Sequence, residues 1–420
     1  MSAPASHIHP EAHRAYERGD FKEAIRGQTD FLNALVTSGA ATIEARKLLS
    51  LYFFSSGDIA SAIRVVKTVV NDCPDDPESL GNLGVMLKKQ GRIREAIGYL
   101  LRSHEMAPEQ TNSCDALAHC FSRLKNHGET QKYGRRSLEL KDGAAEGQLV
   151  WPISDRQVSP APFSPENRQS NVISFSLWGD KERYLRGALR NAVAAPHVYP
   201  SWTCRFYCDD RVPPGFRQKL KNQGAQVKMK PRPSQFYEGL LWRFEVLDDA
   251  TVDRFLIRDA DSIVNVKERV AVDEWLQSDC WFHAMRDFPS HTEVLLAGMW
   301  GGANGILPSL AELLKAFHPT IAPTSTYDQL LLRECVWPTV RQSVMIHDSV
   351  YTGCLGSKGF PPFGDLPPGR HIGQNEAAMT PLSGQAGSAK VEPGLKRKLH
   401  HVITQTGRTV TVSQPERATK

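Results

Sequence analysis

A short pattern repeated along the first third of the chain constrains its fold more than any other feature. Gly19-Asp20-Phe21-Lys22-Glu23-Ala24-Ile25 returns as Gly57-Asp58-Ile59-Ala60-Ser61-Ala62-Ile63 and as Gly91-Arg92-Ile93-Arg94-Glu95-Ala96-Ile97, then more weakly at Gly128. These four glycines stand 38, 34 and 37 residues apart, close to the length of one repeated helical hairpin. In the third copy Leu80, Leu83, Gly84 and Leu87 make one helical stripe, and Gly91 marks the turn. Ala96, Leu100 and Ser103 face back, and Ala107-Pro108 closes the unit. One such hairpin cannot bury its apolar face alone, whereas three or four stacked copies share a continuous core. Residues 1–145 are therefore expected to form a helical array.

The stripe, the turn glycine and the small residues where two helices cross resemble the tetratricopeptide repeat. The resemblance implies either a structural bundle or a concave surface for a protein or peptide partner. It reports packing, so it names no ligand residue, and no chemistry is visible in this third of the chain.

Residues 146–168 lose all periodicity, and Pro152, Pro160, Pro162 and Pro165 crowd together. This stretch reads as a linker or a wrapping strap. Beyond it, strand and helix patterns alternate. Strands are expected at 171–177, 203–208, 225–229 and 254–257, with helices at 181–193, 216–222 and 237–247 between them. That order predicts an α/β domain over 169–375, with a mostly parallel, Rossmann-like mixed sheet. Ligands of such sheets bind beyond the carboxyl ends of the strands.

Composition narrows the class. At 420 residues with 40% hydrophobic and 23% charged side chains, the chain is an ordinary globular protein of two or more domains. No apolar run approaches the ~18 residues of a membrane span, and Met1 to Pro10 lacks the basic and apolar regions of a secretory signal. Eight cysteines without a Cys-x-x-Cys pair argue against a disulfide scaffold or a structural zinc site. The expected location is the cytoplasm, with the inner-membrane face as a peripheral site of action. The formal net charge of +5 invites a nucleic-acid reading, but residues 376–420 hold seven Lys/Arg against three Asp/Glu. Most of the excess thus sits in a basic tail that is expected to be disordered. The remainder is nearly neutral, so no nucleic-acid partner is expected.

The chemistry gathers at Arg258-Asp259-Ala260-Asp261-Ser262, which follows the apolar run Phe255-Leu256-Ile257. An Asp-x-Asp alone means little. At the carboxyl edge of a strand, however, alternate carboxylates can hold a hard divalent cation, which neutralises a diphosphate. The plain alternative is a solvated loop capping the next helix through Ser262 or Asn265.

This motif resembles that of a family of bacterial GT-A-fold glycosyltransferases, as do several segments in the same order. They are Ser176-Leu177-Trp178-Gly179 with Tyr184, Tyr199-Pro200-Ser201-Trp202, Trp242-Arg243-Phe244, Val272-Asp273-Glu274-Trp275-Leu276, Phe282-His283-Ala284-Met285-Arg286-Asp287 and Gly298-Met299-Trp300-Gly301. The likeness spans roughly 171–375. It departs at Ile263, where the family pattern would place an arginine. It implies transfer of a sugar from a nucleotide-sugar donor with Mn2+ or Mg2+.

On that resemblance Asp259 and Asp261 hold the metal, with His347 as third ligand and His371 as its rival. Donor binding falls to Ser176, Leu177, Trp178, Arg243, Arg258, Asp259, Gly298, Trp300 and Gly301. Arg243 matches the donor-binding basic residue of glycogenin-like enzymes, or else makes an internal ion pair. Trp178 stacks on the base or joins the core. Gly298 to Gly302 let the backbone approach the sugar, with Trp300 lining the pocket, or make a tight bend. Asp287 and Asp328 are the candidate catalytic residues, either of which could deprotonate the acceptor hydroxyl, against an internal ion pair for Asp287 and a helix-start carboxylate for Asp328.

The acceptor would be a protein or a glycan or lipid-linked sugar, with the repeats recruiting it or a partner. Two rival readings stand beside this one. The first is a repeat adaptor whose transferase domain has lost activity. The second is a haloacid-dehalogenase-like phosphatase, whose motif would normally open the domain and follow an apolar residue rather than Arg258.

Overall fold

The computed structural model describes residues 8–35, 40–153, 159–319 and 326–375. Residues 376–420 and most of Met1 to Pro10 therefore lie outside the described residues.

Among the described residues, eight helices precede the sheet and pair as four hairpins. They are α1 (Pro10–Glu17), α2 (Phe21–Ala34), α3 (Ala40–Ser56), α4 (Ile59–Asp72), α5 (Pro77–Lys89), α6 (Ile93–Met106), α7 (Thr111–Arg123) and α8 (His127–Gly143). The repeated Gly-Asp dipeptide explains two of the turns directly. Gly19 and Gly57 take positive φ of 81° and 90°, a region that L side chains avoid. Asp20 and Asp58 then cap the following helices by accepting from Glu23 N and Ser61 N.

The fourth turn corrects the sequence reading. Gly128 lies inside α8, and the left-handed residue is Lys125 at φ 57°. Asn126 behind it caps α8 by accepting from Glu129 N at 3.2 Å. Lys125-Asn126 is thus the fourth copy of Gly-Asp, 34 residues after Gly91.

The second domain is a mixed α/β sheet. Its strands are β1 (Asn171–Leu177), β2 (Thr203–Cys208), β3 (Gln226–Met229), β4 (Arg254–Arg258), β5 (Phe282–Arg286), β6 (Met299–Ala303) and β7 (Val344–Asp348). They lie in the order β3-β2-β1-β4-β6-β5-β7. β3, β2, β1 and β4 run parallel, β6 is antiparallel to both β4 and β5, and β7 is parallel to β5.

Helices α9 (Glu182–Val198), α10 (Pro214–Asn222), α11 (Glu238–Leu241), α12 (Val266–Leu276), α13 (Leu310–Ala316) and α14 (Tyr327–Leu331) cover the sheet. β1, β2, β4, β5 and β6 are buried along their whole length, as apolar runs flanked by crossover helices require. The helix expected at 237–247 is split: α11 gives way to a 3-10 turn over Trp242–Asp248.

The proline-rich stretch lies along the sheet domain. Trp151 N donates to Thr339 Oγ1 at 3.0 Å, and the Phe163 ring stacks 5.8 Å from Trp202. The array touches the sheet domain at both ends. At one end Phe236 packs edge-on against Tyr16 and Phe21. At the other, α8 lies on residues 350–352: Gly134 leaves room for the Tyr351 ring, and Gln131 and Arg135 donate to Val350 O and Thr352 O. Lys141 is fully buried between Asp115 of the array and Glu293 of the sheet domain, at 2.8 Å from each, and also donates to Thr292 O.

Candidate functional site

The parallel β1 and β4 present their carboxyl ends side by side, and the antiparallel β6 begins beside them, with Arg258 opposite Met299. Trp178, Asp259-Ala260-Asp261 and Gly298 therefore converge on one edge. Three glycines make that convergence possible. At Gly298 the space for a Cβ is taken by the Asp259 carboxylate, and at Gly187 of α9 by the backbone of Ala260 and Asp261. At Gly239 of α11 a Cβ would lie 2.7 Å from the Trp178 indole.

Arg243 organises the acids. β1 fixes its backbone: Ser174 Oγ donates to Arg243 O at 2.7 Å, and Arg243 N donates to Ser176 Oγ at 2.9 Å. The side chain is buried. Its Nη1 donates to Asp259 Oδ1 and to Arg258 O, while Nη2 lies 2.5 Å from Asp328 Oδ2. Burial works against this guanidinium's charge, and Asp259 and Asp328 outweigh it, raising its pKa above the ordinary arginine value. Its Nε has no partner among the described residues.

Asp259 keeps 45% of its side chain exposed, whereas Asp261 keeps 10%. Burial, with Asp259 adding to it, holds the Asp261 carboxyl above its usual range, opposed by Arg183 at 3.6 Å. Asp328 is also raised, by burial first and by Asp259, against the pull of Arg243. The first repeat reaches the rim of this site. The Phe236 ring that packs on it stands 5.6 Å from Tyr237, whose ring lies 4.2 Å from that of Tyr327, tilted by 41°; Tyr327 is the residue before Asp328.

Several sequence expectations are corrected. Arg258 turns into the core, where Nε meets Glu268 at 3.3 Å and Nη1 donates to Ile257 O and Trp300 O. Trp300 is fully buried near Phe255 and Phe244, so it lines no pocket. Gly301 packs without room for a Cβ against Phe255 O and Leu256, and the Leu177 side chain is in the core. Ser176 acts on Arg243 rather than facing solvent.

Asp287 is an internal tie. Its Oδ1 accepts from Lys267 at 2.5 Å and Ser349 Oγ at 2.6 Å, and its Oδ2 accepts from Ile372 N at 2.9 Å. Asn265, not Ser262, caps the helix after the motif, accepting from Glu268 N. Ser262 Oγ instead donates to Gly373 O.

His347 stands apart from the acids. Its two ring nitrogens face His283 Nε2 at 2.8 Å and Glu274 Oε2 at 2.9 Å. β7 lies three strand spacings from β4, about 14 Å at ~4.8 Å each. The rival His371 stacks 4.2 Å from Phe288, and its Nδ1 donates to Ile372 O. Its neighbour Gly373 is the residue that Ser262 engages. Among the described residues no group of three or more His, Cys, Asp or Glu is placed to hold a metal ion.

Arg183, Ser174, Gln329 and the Tyr237–Tyr327 pair were missed by sequence reasoning. Gln329 pins the loop before Gly298, taking Ala297 N on Oε1 and donating to Leu295 O, both at 2.7 Å. Gly187 within a helix was a legible signal, because a glycine there weakens the helix unless something packs close.

No protein-family model matches the chain, and no curated protein matches it. Among solved structures, a crystal structure of MamA is 19% identical over 32% of this chain and 71% of that one, with a TM-score of 0.29. A mutant O-GlcNAc transferase of Thermobaculum terrenum is 16% identical over 59% of this chain and 44% of that one, TM-score 0.38. YrrB, described as a TPR protein with an unusual peptide-binding site, is 14% identical over 30% and 63%, TM-score 0.27. Likeness at this level assigns neither a family nor a chemistry to the chain.

The donor set at the β4 edge fits a hard divalent cation in one respect. Two carboxylates with raised or partly exposed oxygens are the kind of pair that holds Mg2+ or Mn2+ when phosphate and water supply the remaining positions. Among the described residues it offers no third protein ligand.

Proposed function

We propose that the chain is a metal-dependent glycosyltransferase, moving a sugar from a nucleotide-sugar donor to a protein or to a glycan or lipid-linked acceptor. The observation that carries this reading is the pairing of Asp259 with Asp261 at the carboxyl edge of β4. There Asp261 is held above its usual range by burial and by Asp259, a repulsion that a bound cation relieves. When bound, Mn2+ or Mg2+ would neutralise the donor diphosphate as charge develops on the leaving group.

The residues do the positioning. Gly298 keeps the Asp259 carboxylate close to the β6 edge, and Arg243 fixes its Oδ1. Asp328, pinned by Arg243, orients that guanidinium rather than acting as a free base. Trp178, half-buried beside Gly239 and 6.1 Å from Trp242, offers an indole at the end of β1 where the nucleoside would lie. The repeats, whose first hairpin meets the site rim through Phe236, would position an acceptor or partner.

A second reading, a repeat scaffold with a silent sheet domain, is favoured by one observation: Arg243 already neutralises Asp259. Turnover separates the two. A panel of UDP- and GDP-sugars incubated with Mn2+ should release nucleoside diphosphate with the full chain and not with Asp261→Asn. No release from any donor, with or without candidate acceptors, supports the scaffold. Among the described residues no helix is long and apolar enough to cross a membrane.

A further inference from the structure

The first helices of consecutive hairpins, α3, α5 and α7, lie side by side. Ser50 Oγ meets Met86 Sδ at 3.8 Å, and Gly81 leaves room for Ser113 Oγ. Their last turns carry Phe54, then Lys88 and Lys89, then Arg123, with His119 one turn before Arg123 on α7. Lys89 Nζ stands 5.2 Å from the centroid of the Phe54 ring. Among the described residues no carboxylate lies within ion-pair distance of Lys88, Lys89 or Arg123.

Another half-buried lysine of these helices is paired differently. Lys47, near the opposite end of the same helices, is shared by Glu44, Asp76 and Glu78 at 3.0 Å each. The acid nearest Lys88 on α7, Asp115, is committed to Lys141 and Ser137. Burial pushes the Lys88 ammonium below its usual value. Burial, then Lys88 and Arg123, push His119 down to about 4. Cations in the last turn of a helix do complement its dipole, but that role needs neither burial nor crowding.

We propose that the patch formed by Phe54, Lys88, Lys89, His119 and Arg123 binds an acidic segment of a polypeptide partner. Carboxylates of the segment sit between α5 and α7, and an apolar side chain lies on Phe54. The same row of helix ends continues to α1, where Phe236 N donates to Glu17 O at 3.4 Å. From there Tyr237 and Tyr327 lead to Asp328, so a segment held on the patch runs along the array toward Asp259. As a statement about the acceptor this rests on the transferase reading; as a statement about binding it does not.

The test is fluorescence anisotropy of a fluorescein-labelled hepta-glutamate peptide with the full chain, alongside hepta-lysine and a single-stranded oligonucleotide. The glutamate peptide should bind in a salt-dependent way. Reversing two exposed charges, Lys89→Glu with Arg123→Glu, should weaken it about tenfold. An unchanged circular dichroism melt shows that this variant still folds. Asp261→Asn should bind the peptide as wild type does. Absence of glutamate-peptide binding at low salt, indifference to the double reversal, or preference for the oligonucleotide each overturns the proposal. Calorimetry of UDP and GDP with Mn2+ on the same preparations keeps the two readings apart. Peptide binding without nucleotide binding spares the patch and removes the transferase, and the reverse does the opposite.

Discussion

Arg243 joins Asp259 to Asp328, with one guanidinium nitrogen on Asp259 Oδ1 and the other 2.5 Å from Asp328 Oδ2. Asp328 is buried, so the pair stabilises the fold only as long as the guanidinium is present. Arg243→Met should cost about 3–5 kcal/mol in urea unfolding, the usual effect of stranding a buried charge. Adding Asp328→Asn should recover part of that loss, a coupling that a double-mutant cycle reads directly.

The acids at the β4 edge make stability depend on pH with a definite sign. Asp261 and Asp328 are both held above the ordinary carboxylate range, burial being the first cause in each. From about pH 4 up to their raised values the folded chain binds more protons than the unfolded one, so stability falls as pH rises. Asp261→Asn should flatten part of that fall and leave the metal-free protein at least as stable as wild type at neutral pH. Melting temperatures across that range check it, and a variant less stable than wild type at every pH contradicts it.

Gly298→Ala places a methyl group where the Asp259 carboxylate now lies. The strand can form, but the carboxylate must move. Nucleotide binding with Mn2+ should weaken about tenfold or more (1.4 kcal/mol per decade), with a far smaller change in melting temperature.

His347→Ala tests the opposite claim. The imidazole links His283 to Glu274, so its loss should cost about 1–3 kcal/mol by leaving the fully buried His283 without that partner. Metal-dependent nucleotide binding should be unchanged, because His347 lies three strands from the acids.

The seam between the domains rests on Lys141. Lys141→Met leaves Asp115 and Glu293 facing each other across it and should cost about 3 kcal/mol. Hydrogen exchange should rise at 289–297, the segment that leads to Gly298.

Much of this was legible in the sequence, for local reasons. The strand at 171–177 follows from a buried-strand run, that at 203–208 from alternation, and the position of Asp259 and Asp261 from the apolar run Phe255-Leu256-Ile257 before them. The helical hairpins follow from the repeated Gly-Asp turn; where Lys125-Asn126 replaces it, Gly128 is the nearest glycine in the sequence and points three residues too far. What was not legible depends on non-local arrangement. Arg258 and Trp300 belong to motifs that look solvent-facing until β6 is known to run antiparallel beside β4. His347 ends a strand as a ligand would, but the strand order places it at the far edge. The turn at Trp242–Asp248 is 3-10 where periodicity predicted a longer helix, and Ser174 and Ser176 hold the Arg243 backbone there.

The most direct measurement is calorimetric titration of UDP and GDP, then their common sugars, with and without Mn2+, on wild type and Asp261→Ala. A donor site at the β4 edge requires metal-dependent binding of at least one nucleotide by wild type and its loss in Asp261→Ala. Binding that ignores both Mn2+ and Asp261, or no binding of any nucleotide, would contradict it.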